Sequence, residues 1–186
     1  NNLKTGVLLI ALSGLLVWNL FGAALGHLAF IANDWDYRPI VLLILIAVGL
    51  NDVFAFVVGK IVGGRQLLPA TSPNKTVSGA IGALLLTTVV VTVISGYVFA
   101  GTALQSVALR IGLGLIIGTL GQLGDLMVSS IKRDLGIKDM GVVIPGHGGI
   151  LDRFNSLLLA APAVFHYIRY VVGFGLDQPA RIMSGG

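Results

Sequence analysis

The sequence predicts an all-α integral membrane protein with about five transmembrane helices and two polar cytoplasmic loops that together form a site. Of the 186 residues, 55% are hydrophobic and only 11% are charged, and the mean hydropathy is +0.94. A soluble domain carries about 25% charged residues. The chain has no Cys, which excludes disulfides and thiolate metal sites, and no Glu, so its carboxylate chemistry depends on eight Asp residues.

Five apolar runs are long enough to cross a bilayer as helices, which takes about 20 residues. They cover residues 6–32, 39–62, 77–100, 103–128 and 154–175. Glycines recur within or beside them at a spacing of four, which is typical of closely packed membrane helices. We interpret the following pairs as helix-packing contacts: Gly22 and Gly26, Gly59 and Gly63, Gly114 and Gly118.

Basic residues are concentrated in the second and fourth loops. Residues 63–76 carry Arg65 and Lys75, and residues 129–153 carry Lys132, Arg133, Lys138 and Arg153. Because loops rich in Lys and Arg face the cytoplasm, both loops are predicted to lie there. The net charge of +4 belongs to loops beside apolar spans, so it does not indicate binding of nucleic acid.

Polar residues within the spans are costly unless they face a cavity or a partner. Asn51 and Asp52 fall near the middle of the second span, where they contact a substrate or an ion, or form a hydrogen-bonded structural site. The sequence leaves both interpretations open. In the fourth span, Gly118, Gly121 and Asp125 share one helical face. An acid there, close to basic residues, predicts a cation site beside an anion site; the alternative is a surface ion pair, which contributes little.

The loop at 60–76 offers groups that suit a phosphate. Gly63 and Gly64 leave the backbone free to approach an anion, although the spacing is not that of a Walker loop. The alternative is a basic loop held by lipid head groups. The side chains that can donate to phosphate oxygens are Ser72, Asn74, Lys75 and Thr76.

The stretch at 129–155, SSIKRDLGIKDMGVVIPGHGGILDRFN, is the most informative. Mg²⁺ prefers few carboxylates together with substrate phosphates, and phosphoryl or nucleotidyl transfer depends mainly on positioning and on neutralising charge. A site of this kind beside the membrane implies one soluble phosphate substrate and one lipid. The groups that fit are the carboxylates Asp125, Asp139 and Asp152, the donors Lys132, Arg133, Lys138, His147 and Arg153, and the turn residues Gly148 and Gly149.

The order of these residues resembles the signature of phosphatidate cytidylyltransferases, also called CDP-diacylglycerol synthases. The resemblance covers roughly residues 50–160. The matching pattern is Ser129-x-Ile131-Lys132-Arg133, then Lys138-Asp139-x-Gly141, then Ile144-Pro145-x-His147-Gly148-Gly149-Ile150-x-Asp152-Arg153-Phe154. The segments Asn51-Asp52, Gly59-Lys60, Ser72-Pro73-x-Lys75-Thr76 and Gly124-Asp125-Leu126 fit the same family.

The resemblance implies a membrane enzyme of phospholipid biosynthesis that converts CTP and phosphatidate to CDP-diacylglycerol and pyrophosphate. It implies Mg²⁺, alone or with a second cation, and a bacterial inner membrane with the site facing the cytoplasm; a homodimer is compatible with it. Family members are longer, so residues 1–186 are predicted to be one transmembrane domain, the C-terminal catalytic part of a longer architecture. The implied roles are metal binding at Asp125, Asp139 and Asp152, catalysis at Lys132, Arg133, Lys138, His147 and Arg153, and substrate binding at Asn51, Asp52, Lys60, Ser72, Lys75, Thr76, Gly148 and Gly149.

Three places depart from the family pattern. The signature normally ends in Asp, where this chain has Asn155, and a Glu is usual at the place of Val128. Val77 and Ser78 stand where an aromatic residue followed by Glu or Gln is usual. One or two acidic ligands are therefore lost near the predicted metal.

These departures keep other functions open. A related enzyme would activate another lipid phosphate or use another nucleotide. A catalytically silent relative would bind lipid phosphate or nucleotide, or stabilise a partner. An ion transporter built on Asp52 and Asp125 would account for the buried acids but not for the Lys138-Asp139 and His147-Gly148-Gly149 segments.

Overall fold

A computed structural model of the chain describes residues 22–28, 38–69, 71–137, 152 and 154–172. This part of the chain is helical apart from one small hairpin. Helix α1 covers residues 22–28, α2 covers Arg38–Val62, α3 covers Val77–Val98, α4 covers Val107–Asp134 and α5 covers Leu157–Val172. Between α2 and α3, strand β1 (Gln66–Leu68) pairs antiparallel with β2 (Ser72–Thr76), and a short 3₁₀ helix, Ala103–Gln105, precedes α4.

Three of the described helices have the length and composition of membrane spans, over Pro39–Val62, Val77–Val98 and Val107–Asp134. They confirm the second, third and fourth predicted spans. Helix α5 is apolar over 16 residues, which is about 24 Å of helix, and residues 173–175 of the predicted fifth span lie outside the described residues. Most of the predicted first span lies outside the described residues. The predicted all-α membrane fold is confirmed, and the hairpin is an addition that the sequence did not predict.

Helix α4 begins and ends later than predicted, so Lys132 and Arg133 lie on its last turn and not in a loop. The helix ends where Gly136 adopts a φ of 67°, a left-handed conformation that glycine takes without strain. Its N–H donates to the carbonyl of Arg133, and the N–H of Ile137 donates to that of Lys132. This is a Schellman motif, and the two basic side chains suit the negative end of the helix dipole.

Helix α3 packs against α2 and α4, and α4 packs against α5. A Cβ atom added to Gly114 would lie 2.7 Å from the Cα of Thr88, and one added to Gly59 would lie 2.7 Å from the Thr76 hydroxyl. The helix-packing interpretation agrees with the close approach at these two glycines. Gly63 instead follows the end of α2 with a φ of 66°, and the described residues place nothing within 4 Å of a Cβ at Gly22 or Gly26.

The apolar core fills the half of the bundle that is far from the hairpin. It contains the first half of α2, the second half of α3, the first half of α4 and one face of α5, joined by Ala24 and Leu28 of α1. The other half, where α2 ends, α3 begins and α4 ends, carries the polar side chains. We call this half the hairpin end of the bundle.

Candidate active site

A cavity of about 250 Å³ lies at the hairpin end. Asp52, Ala55 and Phe56 line it because they fall at spacings of three and four on α2, and Gln122 and Asp125 line it from one face of α4. The remaining walls come from β2 and the start of α3: Ser72, Asn74, Lys75, Thr76 and Ala80. Six of the candidate site residues from the sequence therefore share one cavity: Asp52, Ser72, Asn74, Lys75, Thr76 and Asp125.

Asp125 is held by two donors from distant parts of the chain. The Lys75 ammonium forms an ion pair with Oδ2, and the Asn155 side-chain amide donates to Oδ1. The side chains of Lys75 and Asp125 are only 24% and 17% exposed. A pair this sheltered is screened less by water and salt than a surface pair, so it fixes the hairpin against α4.

A second carboxylate, that of Asp52, faces the same cavity. The Ser156 hydroxyl donates to its Oδ2 at 3.4 Å. With both carboxylates ionised, the two Asp side chains and the Lys among the described wall residues carry a net charge of −1. The cavity therefore offers a cation a favourable position, and it offers a phosphate the Lys75 ammonium together with hydroxyl donors.

Thr76 has two roles at the cavity wall. It is the N-cap of α3, with φ −107° and ψ 154°, and its hydroxyl accepts from the N–H of Gly79 at 3.1 Å. Such a cap stabilises a helix by about 1 kcal/mol. Its hydroxyl also lies 3.1 Å from that of Ser78, which donates to the carbonyl of Gly63. The cap thus fixes the position of β2 and of Lys75 beside it.

A second charged pair lies further along α4. The Lys132 Nζ atom is 2.8 Å from Oδ1 of Asp152, and the two side chains are 13% and 10% exposed. Lys132 follows Asp125 by seven residues, which places both on the same face about 10.5 Å apart along the helix axis. The Nε atom of Arg133 donates to the carbonyl of Thr71 at 3.4 Å, so the last turn of α4 also contacts the hairpin.

Two predicted site residues lie near the cavity without lining it. Asn51 is fully buried, accepts from the Thr87 hydroxyl at 3.1 Å and donates to the carbonyl of Gly118 at 3.3 Å, so its amide joins α2 to α3 and α4. Lys60 is exposed, and its ammonium lies 5.8 Å from the ring centre of Phe56. Six predicted residues lie outside the described part of the chain: Lys138, Asp139, His147, Gly148, Gly149 and Arg153.

The positions that depart from the family pattern have specific surroundings. Val128 is fully buried and does not line the cavity. Ser78 ties the start of α3 to Gly63. Asn155 is 9% exposed and contacts Asp125 directly. The two polar departures therefore contact neighbouring protein atoms, Val128 is packed, and Val77 is half-buried at the start of α3.

The described residues bring two carboxylates to the cavity that could hold Mg²⁺. Within the described residues, no three acidic or His side chains come together. Asp52 and Asp125 do face one cavity, and Mg²⁺ is commonly bound by one or two carboxylates together with substrate phosphates. The described residues therefore fit a magnesium–phosphate complex better than a site made of protein ligands alone.

Sequence reasoning assigned no role to three residues that the structure places at the site. Gln122 lines the cavity and donates to the carbonyl of Ala80 at 3.1 Å; its spacing of three from Asp125 was the available signal. Asn155 was noted only as a departure, and Ser156 was not singled out. Both are polar residues at the start of an apolar run, and no spacing rule connects them to carboxylates 30 and 104 residues away.

Comparison with known proteins identifies the family of the chain. A model described as the cytidylyltransferase family matches residues 3–171. The phosphatidate cytidylyltransferase of Staphylococcus aureus strain COL is 41% identical over 138 residues, which is 74% of this chain and 52% of that protein. The enzyme of the same name from Staphylococcus haemolyticus is 38% identical over 138 residues, with the same coverage.

A third relative, YnbB of Escherichia coli K12, is named as an uncharacterized protein. It is 36% identical over 158 residues, which is 82% of this chain and 52% of YnbB. The chain thus spans about half the length of the curated relatives that it matches. With a family model that covers most of its length, the chain belongs to the cytidylyltransferase family.

Proposed function

We propose that the protein is a phosphatidate cytidylyltransferase, which converts CTP and phosphatidate to CDP-diacylglycerol and pyrophosphate. The family and the names of two relatives suggest the reaction. The observation that carries it is the cavity at the hairpin end of apolar helices, where Lys75, Asp125 and Asp52 meet two hydroxyl side chains. Cationic and hydroxyl donors beside carboxylates suit a phosphate with its cation, and the membrane supplies the lipid.

The chemistry needs little more than charge neutralisation and alignment. An oxygen of the phosphatidate phosphate attacks the α-phosphorus of CTP, and the bond from that phosphorus to the oxygen bridging to the β-phosphate breaks. Pyrophosphate leaves with the electron pair. The attacking phosphate is already ionised at neutral pH, so no strong general base is required. Lys75, with Lys132 and Arg133 further along α4, would neutralise phosphate charge.

The carboxylates of the site would hold Mg²⁺, alone or with a second cation. The sequence assigns this role to Asp125, Asp139 and Asp152, and we add Asp52 because it lines the same cavity as Asp125. The bound ion supplies charge neutralisation at the phosphates. Asn155 and Ser156 orient the carboxylates of Asp125 and Asp52, which would hold the ion from two different helices.

An apolar groove beside the cavity supports a lipid as the second substrate. The groove also has a volume of about 250 Å³ and shares two wall residues, Ala80 and Gln122, with the polar cavity. A phosphatidate phosphate in the cavity would place an acyl chain in this groove. Its other walls are almost wholly apolar: Leu67, Ile81, Leu84, Thr119, Leu123 and Leu126.

The proposed orientation places the cavity on the cytoplasmic side of a bacterial inner membrane. Arg65, Lys75, Lys132 and Arg133 all lie at the hairpin end of the bundle, and basic residues favour the cytoplasmic side. CTP would then enter from the cytoplasm. A homodimer is part of the proposal as an expectation from the sequence, which sedimentation in detergent would test.

The test follows labelled CTP into lipid. Purified protein in mixed micelles with phosphatidate and Mg²⁺ should transfer the label to the lipid phase. Asp125→Asn should lower turnover by about 10²-fold or more, because charge neutralisation at a reacting phosphate contributes several kcal/mol. The matched control is Asp134→Asn, on the same helix but exposed, which should retain activity.

Three other results would contradict the proposal in different ways. Full activity of Asp125→Asn would remove that carboxylate from the mechanism. Bound CTP without labelled lipid would indicate another acceptor. Absence of CTP binding would favour a silent relative.

A further inference from the structure

The Asn155 side chain contacts the Asp125 carboxylate directly and is almost completely enclosed. It is 9% exposed, and its neighbour Ser156 is 1% exposed. A Cβ atom added to Gly124 would lie 2.5 Å from the carbonyl oxygen of Asn155, so the backbone at this position packs directly on α4. The side chain therefore has little freedom to turn towards a different partner.

The direction of the Asn155 amide follows from its other contact. The backbone N–H of Ser156 is 2.7 Å from Asn155 Oδ1. An N–H group only donates, so the atom facing it must be the amide oxygen. The amide nitrogen then points the other way, where it donates to Oδ1 of Asp125. The Ser156 hydroxyl lies 3.4 Å from both Asn155 Oδ1 and Oδ2 of Asp52, which connects the two carboxylates.

We propose that Asn155 is a positioning residue that holds Asp125 in place of a cation. Its amide and the Lys75 ammonium occupy the two oxygens of that carboxylate before any ligand binds. An aspartate at 155 would have no proton to donate at neutral pH. It would also add a third negative charge close to Asp125 and Asp52, in a place with little water to screen it. Such a site would need a cation between the carboxylates to be stable.

This role of Asn155 deepens the proposed function, because it makes the site of the free enzyme rigid without bound Mg²⁺. The contact between Asn155 and Asp125 can nevertheless be tested without the reaction. The observable consequence is that Mg²⁺ binding and folding are linked. An ion that binds only the folded protein raises the melting temperature of that protein. The wild-type protein should show little of this effect without nucleotide, and Asn155→Asp should show much more.

The experiment measures thermal unfolding of purified protein in detergent, in EDTA and in millimolar Mg²⁺, with neither CTP nor phosphatidate present. In EDTA, Asn155→Asp and Asn155→Ala should both melt below the wild type. Mg²⁺ should raise the melting temperature of Asn155→Asp by about 3 °C or more above any rise in the wild type. Asn155→Ala frees Oδ1 of Asp125 without adding charge, so its response to Mg²⁺ should be clearly smaller than that of Asn155→Asp.

Two results would overturn the proposal: an Asn155→Asp variant as stable in EDTA as the wild type, or an equal Mg²⁺ response in Asn155→Asp and Asn155→Ala. If Asn155→Asp does not fold in EDTA, the double variant Asn155→Asp with Asp125→Asn decides. In the double variant, the amide at 125 donates and the carboxylate at 155 accepts, so the hydrogen bond is restored with its two partners exchanged. The double variant should therefore fold without Mg²⁺. Failure of that double variant to recover stability would also refute the proposal. A missing cytidylyltransferase activity would leave all these readouts unchanged.

Discussion

Replacing Gly124 with Ala tests whether the close approach of α4 to residues 155 and 156 controls the site. The new Cβ would lie 2.5 Å from the Asn155 carbonyl oxygen and 3.3 Å from the Ser156 Cα. Ordinary contacts between carbon and oxygen atoms begin at about 3.5 Å. Helix α4 and residues 155–156 must therefore separate by about 1 Å. Overpacking of this kind costs about 1–3 kcal/mol, and a 1 Å misplacement of a site group lowers turnover by about 10²-fold.

The matched control is Gly121→Ala, one turn earlier on the same helix. Its Cβ would meet the Asn51 amide nitrogen at 3.4 Å and the Ser156 Cβ at 3.9 Å, which are ordinary contacts. Ala stabilises a helix by about 0.5–1 kcal/mol relative to Gly, so this variant should be as stable as the wild type or more so. Thermal unfolding in detergent and transfer of labelled CTP to lipid measure the two effects separately. Equal stability and equal activity of the two variants would refute the steric reasoning.

Three further outcomes are expected. Asn51→Ala leaves the buried Thr87 hydroxyl without its acceptor, so it should lower the free energy of unfolding by about 1–3 kcal/mol. The protein that remains folded should keep its activity. A variant that is stable but fully inactive would instead show that Asn51 takes part in the reaction. Gly136→Ala forces a side chain into the left-handed conformation and should cost about 1–2 kcal/mol, measured by denaturant unfolding. Ile81→Trp fills the apolar groove and should raise the KM for long-chain phosphatidate, with CTP binding unchanged. Leu85 is exposed one turn further along the same helix, so Leu85→Trp should leave that KM unchanged.

The sequence was sufficient for the second, third and fourth predicted spans because continuous apolar runs determine them. Helices α2 and α3 lie within two residues of the predicted limits. The end of α4 was not predicted because the apolar run ends at the first charged residues. Charged residues do not end a helix, however. The actual signal is Gly136, whose backbone conformation ends the helix with two defined hydrogen bonds. The hairpin was missed because its strands are three and five residues long and the second contains a proline.

The roles of individual polar residues were only partly accessible from the sequence. Asn51 and Asp52 are adjacent, and the sequence left open whether they were functional or structural. Adjacent residues on a helix point about 100° apart, so one amide joins three helices while the neighbouring carboxylate faces the cavity. The residue types predicted that a polar site exists here. The direction of each side chain depends on where α3 and α4 lie, which no local pattern contains.

The charged groups of the site also show why its phosphate and cation binding should depend on each other. Lys75 and Lys132, which we expect to contact phosphates, are each paired with a carboxylate in the free protein, Asp125 and Asp152. Leaving one partner of a partly buried pair without compensation costs free energy, although less than the about 3–5 kcal/mol of a fully buried pair. A phosphate that takes Lys75 from Asp125 therefore leaves a carboxylate that needs a new cation. Phosphate and cation arriving together keep every charge paired, whereas either one alone does not.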